Sequence, residues 1–140
     1  VSPDLDSSQI PVIVKLILEY KIDGVILTNT SNKNRDNLKD PNSKENGGLS
    51  GKPIRDLSTE IVKKFYRNLN GKIPIIGVGG VDSGESAFEK IAAGASAVQL
   101  YTGLIYKGPN IIKLIKKDLI KILNSKGFKN INEAVGTASH

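Results

Sequence analysis

Apolar residues along the chain fall into two kinds of run. Ile10, Ile13, Val14, Ile17 and Leu18 recur at the spacing of one helical face, and Ser7 or Ser8 supplies a cap before them. This predicts a helix to about Tyr20, with Pro11 in its first turn, where proline is tolerated. Asp56 opens a second helix to about Asn70, with Leu57, Ile61, Phe65 and Leu69 on one face and Gly71 as its stop signal. Asp82, with Glu85 three residues on, reads as a capping box for a third helix to about Ala93. The longest helix runs from Pro109 to Lys126 along the stripe Ile111, Ile115, Leu119, Ile122 and Leu123, and a short one lies near Ile131 to Val135. Between them stand three short apolar runs, "GVILT" (24–28), "IPIIGVGG" (73–80) and "SAVQLYT" (96–102). Runs of this kind read as strands buried on both faces.

Regular alternation of such strands with helices predicts parallel pairing through crossover helices. Three parallel strands leave two unpaired edges and faces that need cover. The expected fold is therefore a portion of a larger α/β structure, with residues 1–140 as part of one domain. Val1 reads as the last residue of a strand, so the chain begins as though in the middle of something. One long polar stretch, Ser31 to Asn46, separates the first strand from the glycine cluster "GGLSG" (47–51). Loops of that length inside a compact domain serve a site or are disordered.

Composition changes this picture little. The chain is 39% hydrophobic and 24% charged, ordinary for a globular domain. Its net charge of +6 comes from lysines interspersed with acidic neighbours, and aromatics make up 5%. No stacking surface for nucleic acid is readable, and none is expected as a partner. The chain has no cysteine, and its one histidine is His140, at the end, with no role expected. Disulfides, thiolate metal sites and thiol nucleophiles are thereby excluded, and no metal site is expected. No apolar run is long enough to span a membrane.

The candidate chemistry lies at the strand ends, "LTNT", "GVGG" and "QLYTG". In parallel α/β folds, function gathers at the carboxyl ends of strands. Gly77 to Gly80 allows close approach to a ligand, and Tyr101 to Gly103 leads into a turn with free amides and a threonine hydroxyl. Together they suit a phosphate, although glycines also serve simply to make tight turns. Asn29 carries both a donor and an acceptor and could match an amide-and-carbonyl ring edge, or simply cap its own loop. Ser50, within "GGLSG", has no His near it in sequence, and Asp82 and Glu85 are explained as helix-start residues. No general base is readable in these 140 residues.

"DGVILTNT", "GGLSGKPIRDLST", "IPIIGVGGVDSGESAFEKIAAGAS" and "VQLYTGLIYKGP" closely resemble, in order and spacing, the C-terminal part of class 2 dihydroorotate dehydrogenase. The resemblance implies about strands six to eight of an FMN-binding (β/α)8 TIM barrel. It implies oxidation of (S)-dihydroorotate to orotate in pyrimidine (UMP) biosynthesis, with electrons passed to a quinone. A serine base takes the C5 proton while the C6 hydride goes to the flavin. By the same resemblance, Asn29 and Thr30 bind the pyrimidine. Thr28, Gly51, Gly80, Tyr101 and Thr102 bind FMN, and Val78 and Leu100 lie near the flavin. The serine base, a flavin-contacting lysine, the quinone-binding helices and the remaining barrel half are expected upstream of Val1, so these residues alone should be inactive. The full-length protein would sit peripherally on an inner membrane, mitochondrial in a eukaryote or cellular in a bacterium. A class 1 dihydroorotate dehydrogenase or another FMN barrel is the nearest rival, and a non-catalytic half-barrel that only binds or supports is the rival of another kind. "GGLSGKP" followed by "RDLST" favours class 2.

Overall fold

The computed structural model describes residues 1–33, 35–36 and 38–139. The expectation for His140, and the loop positions Asn34 and Asn37, lie outside the described residues. Helix α1 (Gln9–Glu19) precedes strand β1 (Val25–Leu27), α2 (Arg55–Leu69) precedes β2 (Ile75–Val78), and α3 (Gly84–Ala92) precedes β3 (Ala97–Gln99). Then come α4 (Thr102–Lys107) and α5 (Asn110–Ser125). Short 3₁₀ turns lie at Pro41–Lys44, Lys52–Ile54 and Ile131–Ala134.

The strands form one parallel sheet in the order β1-β2-β3, with Val25 opposite Ile75 and Ile76 opposite Ala97. This is the expected α/β arrangement, consistent with an arc of a barrel wall. Val1 takes no named strand but lies along β1: its ammonium donates to the Ile26 carbonyl at 3.3 Å and its carbonyl accepts from Asn29 N–H at 2.8 Å.

Helical periodicity gave the buried faces of α1, α2 and α5 closely. Ile10, Val14 and Ile17 of α1 pack with Ile61, Val62, Phe65 and Leu69 of α2 against Val25, Leu27 and Ile75. A second cluster joins Ala87 and Ile91 of α3 to Ile111, Ile115 and Leu119 of α5. Each large apolar side chain so buried contributes roughly 1.5–3 kcal/mol.

Three expectations are corrected. The strands are not buried on both faces: Leu27 is sealed under the helices, while Ile26, pointing the other way, is 48% exposed, with no element among the described residues over that face. The capping box of α3 is Ser83 with Ser86, one residue later than expected. Asp82 is taken up elsewhere, accepting from Lys107 Nζ at 3.3 Å. The apolar run ending at Thr102 stops being strand at Gln99, and its last residue opens α4, a six-residue helix too short to show a period.

Candidate ligand-binding site

Parallel strands bring their carboxyl ends to one edge of the sheet, and a cleft of about 890 Å³ opens there. Thr28, Asn29, Thr30, Gly51, Gly80, Tyr101 and Thr102, the seven positions singled out from sequence, all line it, as do Val78 and Leu100. They come from four separate stretches of chain, so the fold alone unites them.

The floor begins after β1, where the Leu27–Thr28 peptide is cis. Thr28 N–H donates to the Val78 carbonyl at 3.0 Å, tying the first strand end to the second. The Thr28 hydroxyl is buried, and among the described residues it is the buried side-chain polar atom left without a partner. Such an atom costs about 1–3 kcal/mol unless something satisfies it. Asn29 Oδ1 accepts from Thr30 N–H at 2.7 Å, the loop-capping geometry that the sequence left open. The Asn29 carboxamide nitrogen has no protein partner among the described residues, so the side chain keeps donors to offer.

The glycine wall follows β2 and β3. Gly80 has φ +73°, and a Cβ placed on it would lie 2.5 Å from Arg55 Cβ. That position excludes any side chain on packing grounds as well as conformational ones. The Gly80 amide finds no acceptor among the described residues, and the amides of Thr102 and Gly103, opening α4, precede the helix's own ladder. Lys107, at the other end of α4, donates to the Asp82 carbonyl at 2.8 Å and so ties α4 to the turn after β2.

The loop wall runs from Ser31 to Gly51. Its base is closed by paired backbone bonds between Ser31 and Leu49, at 3.0 and 2.7 Å. Buried Ser31 donates to Asp4 Oδ1 at 2.6 Å, and Asn32 N–H donates to Asp4 Oδ2 at 2.7 Å. Further out, the Arg35 guanidinium donates to the carbonyls of Ser43 (3.1 Å), Glu45 (2.7 Å) and Gly47. The two walls meet where Thr102 Oγ1 donates to Ser50 Oγ at 2.9 Å. A Cβ on Gly51 would stand 2.8 Å from Thr102 Cγ2. Ser50, which lacked a partner in sequence, finds one across the cleft in a threonine rather than in a base.

Sequence reading missed Arg35, Lys107 and, behind the glycine wall, Lys90. Lys90 carried a signal: it lies three residues from Ala87 and three from Ala93, on an apolar face where lysine is out of place.

The sequence model for dihydroorotate dehydrogenase matches residues 1–123. The chain is 48% identical over 147 residues to "Dihydroorotate dehydrogenase (quinone)" of Trichodesmium erythraeum, a match covering 99% of this chain and 39% of that protein. It is 47% identical over 137 residues to the mitochondrial quinone enzyme of Arabidopsis thaliana, covering 97% of this chain and 30% of that one. A crystal structure of ligand-free DHODH from Eimeria tenella superposes with a TM-score of 0.95 at 39% identity, over 98% of this chain and 38% of that one. The chain thus spans about two fifths or less of the length of these relatives. On the family match, carried by sequences of the quinone type, this chain belongs to the dihydroorotate dehydrogenase family.

Proposed function

We propose that the chain forms about strands six to eight of the (β/α)8 barrel of a class 2 dihydroorotate dehydrogenase. The whole protein oxidises (S)-dihydroorotate to orotate, in pyrimidine biosynthesis, and reduces a quinone. The cleft is its flavin and pyrimidine site. One observation carries this reading: seven residues drawn from four motifs line a single cleft at the strand ends.

The residues present fit FMN. An unpartnered buried hydroxyl at Thr28 and unpaired amides at Gly80, Thr102 and Gly103, set around the open cleft, are donors and space of the kind a flavin phosphate and ring need. Thr28, Gly51, Gly80, Tyr101 and Thr102 would hold the group, and when bound it supplies a two-electron acceptor for hydride. The rest of the work falls to side chains. Asn29 and Thr30 orient the pyrimidine by its amide edges, with the free Asn29 donors facing a carbonyl or carboxylate. The half-exposed sheet face at Ile26 is where the remaining barrel strands pack, and those strands bring the serine base that removes the C5 proton. Among the described residues no helix is long and apolar enough to cross a membrane. The quinone-binding region and the peripheral inner-membrane location belong to the rest of the protein.

Thr102→Asp in the full-length protein tests the site. It keeps the size of a side chain that lines the cleft and puts a carboxylate beside the phosphate position, and the protein should purify without flavin while keeping its helical circular dichroism. Stoichiometric FMN in the variant would overturn the assignment.

A further inference from the structure

Lys90 of α3 is fully buried, yet it does not line the cleft. Burying an ammonium is costly unless each of its protons finds an acceptor. Three acceptors are there: the Arg55 carbonyl at 2.9 Å and the hydroxyls of Ser58 and Thr59. All belong to the opening residues of α2, so this one side chain ties α3 to the start of its neighbour. Burial pushes the group down to about 7, against the opposing pull of Glu89. Short-range hydrogen bonds therefore do most of the tying.

The connection continues toward the cleft. Ser58 Oγ lies 3.1 Å from the Arg55 carbonyl and 3.1 Å from the Gly79 carbonyl, and it has one proton to give. Arg55's carbonyl already receives Lys90 and, at 2.8 Å, the Thr59 hydroxyl. With Lys90 donating into Ser58, the Gly79 carbonyl is the acceptor left to the Ser58 proton. Packing follows the same line. A Cβ on Gly79 would stand 2.7 Å from Ser58 Oγ, and one on Gly80 would meet Arg55. The Gly79–Gly80 turn is moulded on the start of α2, and Lys90 holds the mould.

We propose that Lys90 is a positioning residue for the cofactor phosphate: through Ser58 it fixes the Gly79–Gly80 turn so that the Gly80 amide faces the bound anion. This rests on the flavin reading of the cleft. The test uses the full-length protein stripped of flavin, with binding of FMN and of riboflavin followed by quenching of flavin fluorescence. The two ligands differ only by the phosphate. Wild-type protein should prefer FMN. In Lys90→Met, which keeps the length and removes the donors, FMN affinity should fall on the order of tenfold while riboflavin affinity stays within about twofold. Ser58→Ala, which removes the hydroxyl joining Lys90 to Gly79 and leaves Lys90 the Arg55 carbonyl and the Thr59 hydroxyl, should reproduce the selective loss and decides the matter if Lys90→Met does not fold. Equal weakening of both ligands, or an unchanged preference for FMN, would overturn the positioning role. A wild-type protein with no preference for FMN over riboflavin would instead overturn the phosphate reading itself, and the proposal with it.

Discussion

The glycine wall of the cleft, at the ends of β2 and β3, is held from behind by buried groups, whereas the outer part of the loop wall, from Arg35 to Gly47, is held from its own surface. Behind Gly79 and Gly80 stand Ser58 and Lys90, both buried, and the backbone of Arg55. The loop wall is tied at its base by the Ser31–Leu49 bridge and by Asp4, and at its rim by Thr102 to Ser50; between them Arg35 reaches three carbonyls from a partly exposed position. Buried hydrogen bonds are sheltered from competing water, whereas those of the partly exposed Arg35 are not. The difference assigns the two walls different tasks. A wall that cannot move suits a cofactor that stays bound. One that can yield suits a substrate that must enter and a product that must leave.

Substitutions on the floor and on the loop wall should therefore cost turnover while leaving the flavin in place. Asn29→Ala in the full-length protein should keep its FMN and lose kcat/KM by about tenfold to a hundredfold, the cost of leaving a buried substrate group unpaired. Wild-type steady-state kinetics in that variant would refute the substrate role. Arg35→Ala should have a smaller effect. Dihydroorotate KM should rise about threefold to tenfold at unchanged flavin content, as a few solvated hydrogen bonds are lost. Limited proteolysis between residues 38 and 46 should also quicken. If Arg35→Ala sheds flavin instead, the division between the walls is wrong.

Stability gives a separate handle on the buried wall. Lys90 has a folded value of about 7 against 10.5 unfolded, pushed down first by burial and then by Arg55, with Glu89 and Asp56 opposing. The unfolded chain therefore binds more protons between these values, and the Lys90 contribution makes stability rise as pH climbs from about 7 toward 10.5. The gain is at most about 1.4 kcal/mol per pH unit. Melting curves of wild type and Lys90→Met should diverge over that window in favour of wild type. Parallel curves would show that Lys90 titrates alike folded and unfolded.

What the sequence made legible follows the range of the interactions concerned. Helical periodicity is local, so Ile10, Phe65 and Ile115 were found on their buried faces. The glycine and threonine strand ends were found because parallel topology brings carboxyl ends together whatever the intervening chain. Lys90 was missed because its partners lie 31 to 35 residues away on another helix, where no local pattern points. The Ser83–Ser86 cap was missed because Asp82 and Glu85 offered an equally good spacing; in the structure the Asp82 carboxylate goes to Lys107 and the Ser86 hydroxyl, and Ser83 caps the backbone. Arg35 and its carbonyl partners left no trace, since any arginine in a polar loop looks alike in sequence.

Anaerobic mixing of the purified full-length protein with (S)-dihydroorotate asks whether this cleft holds a flavin within reach of the substrate. A visible flavin absorption band should bleach on mixing, at least as fast as turnover in wild type and more slowly in Asn29→Ala at equal flavin content. A protein that carries no flavin, or whose flavin band stays unchanged with dihydroorotate, would contradict the flavin reading of the cleft.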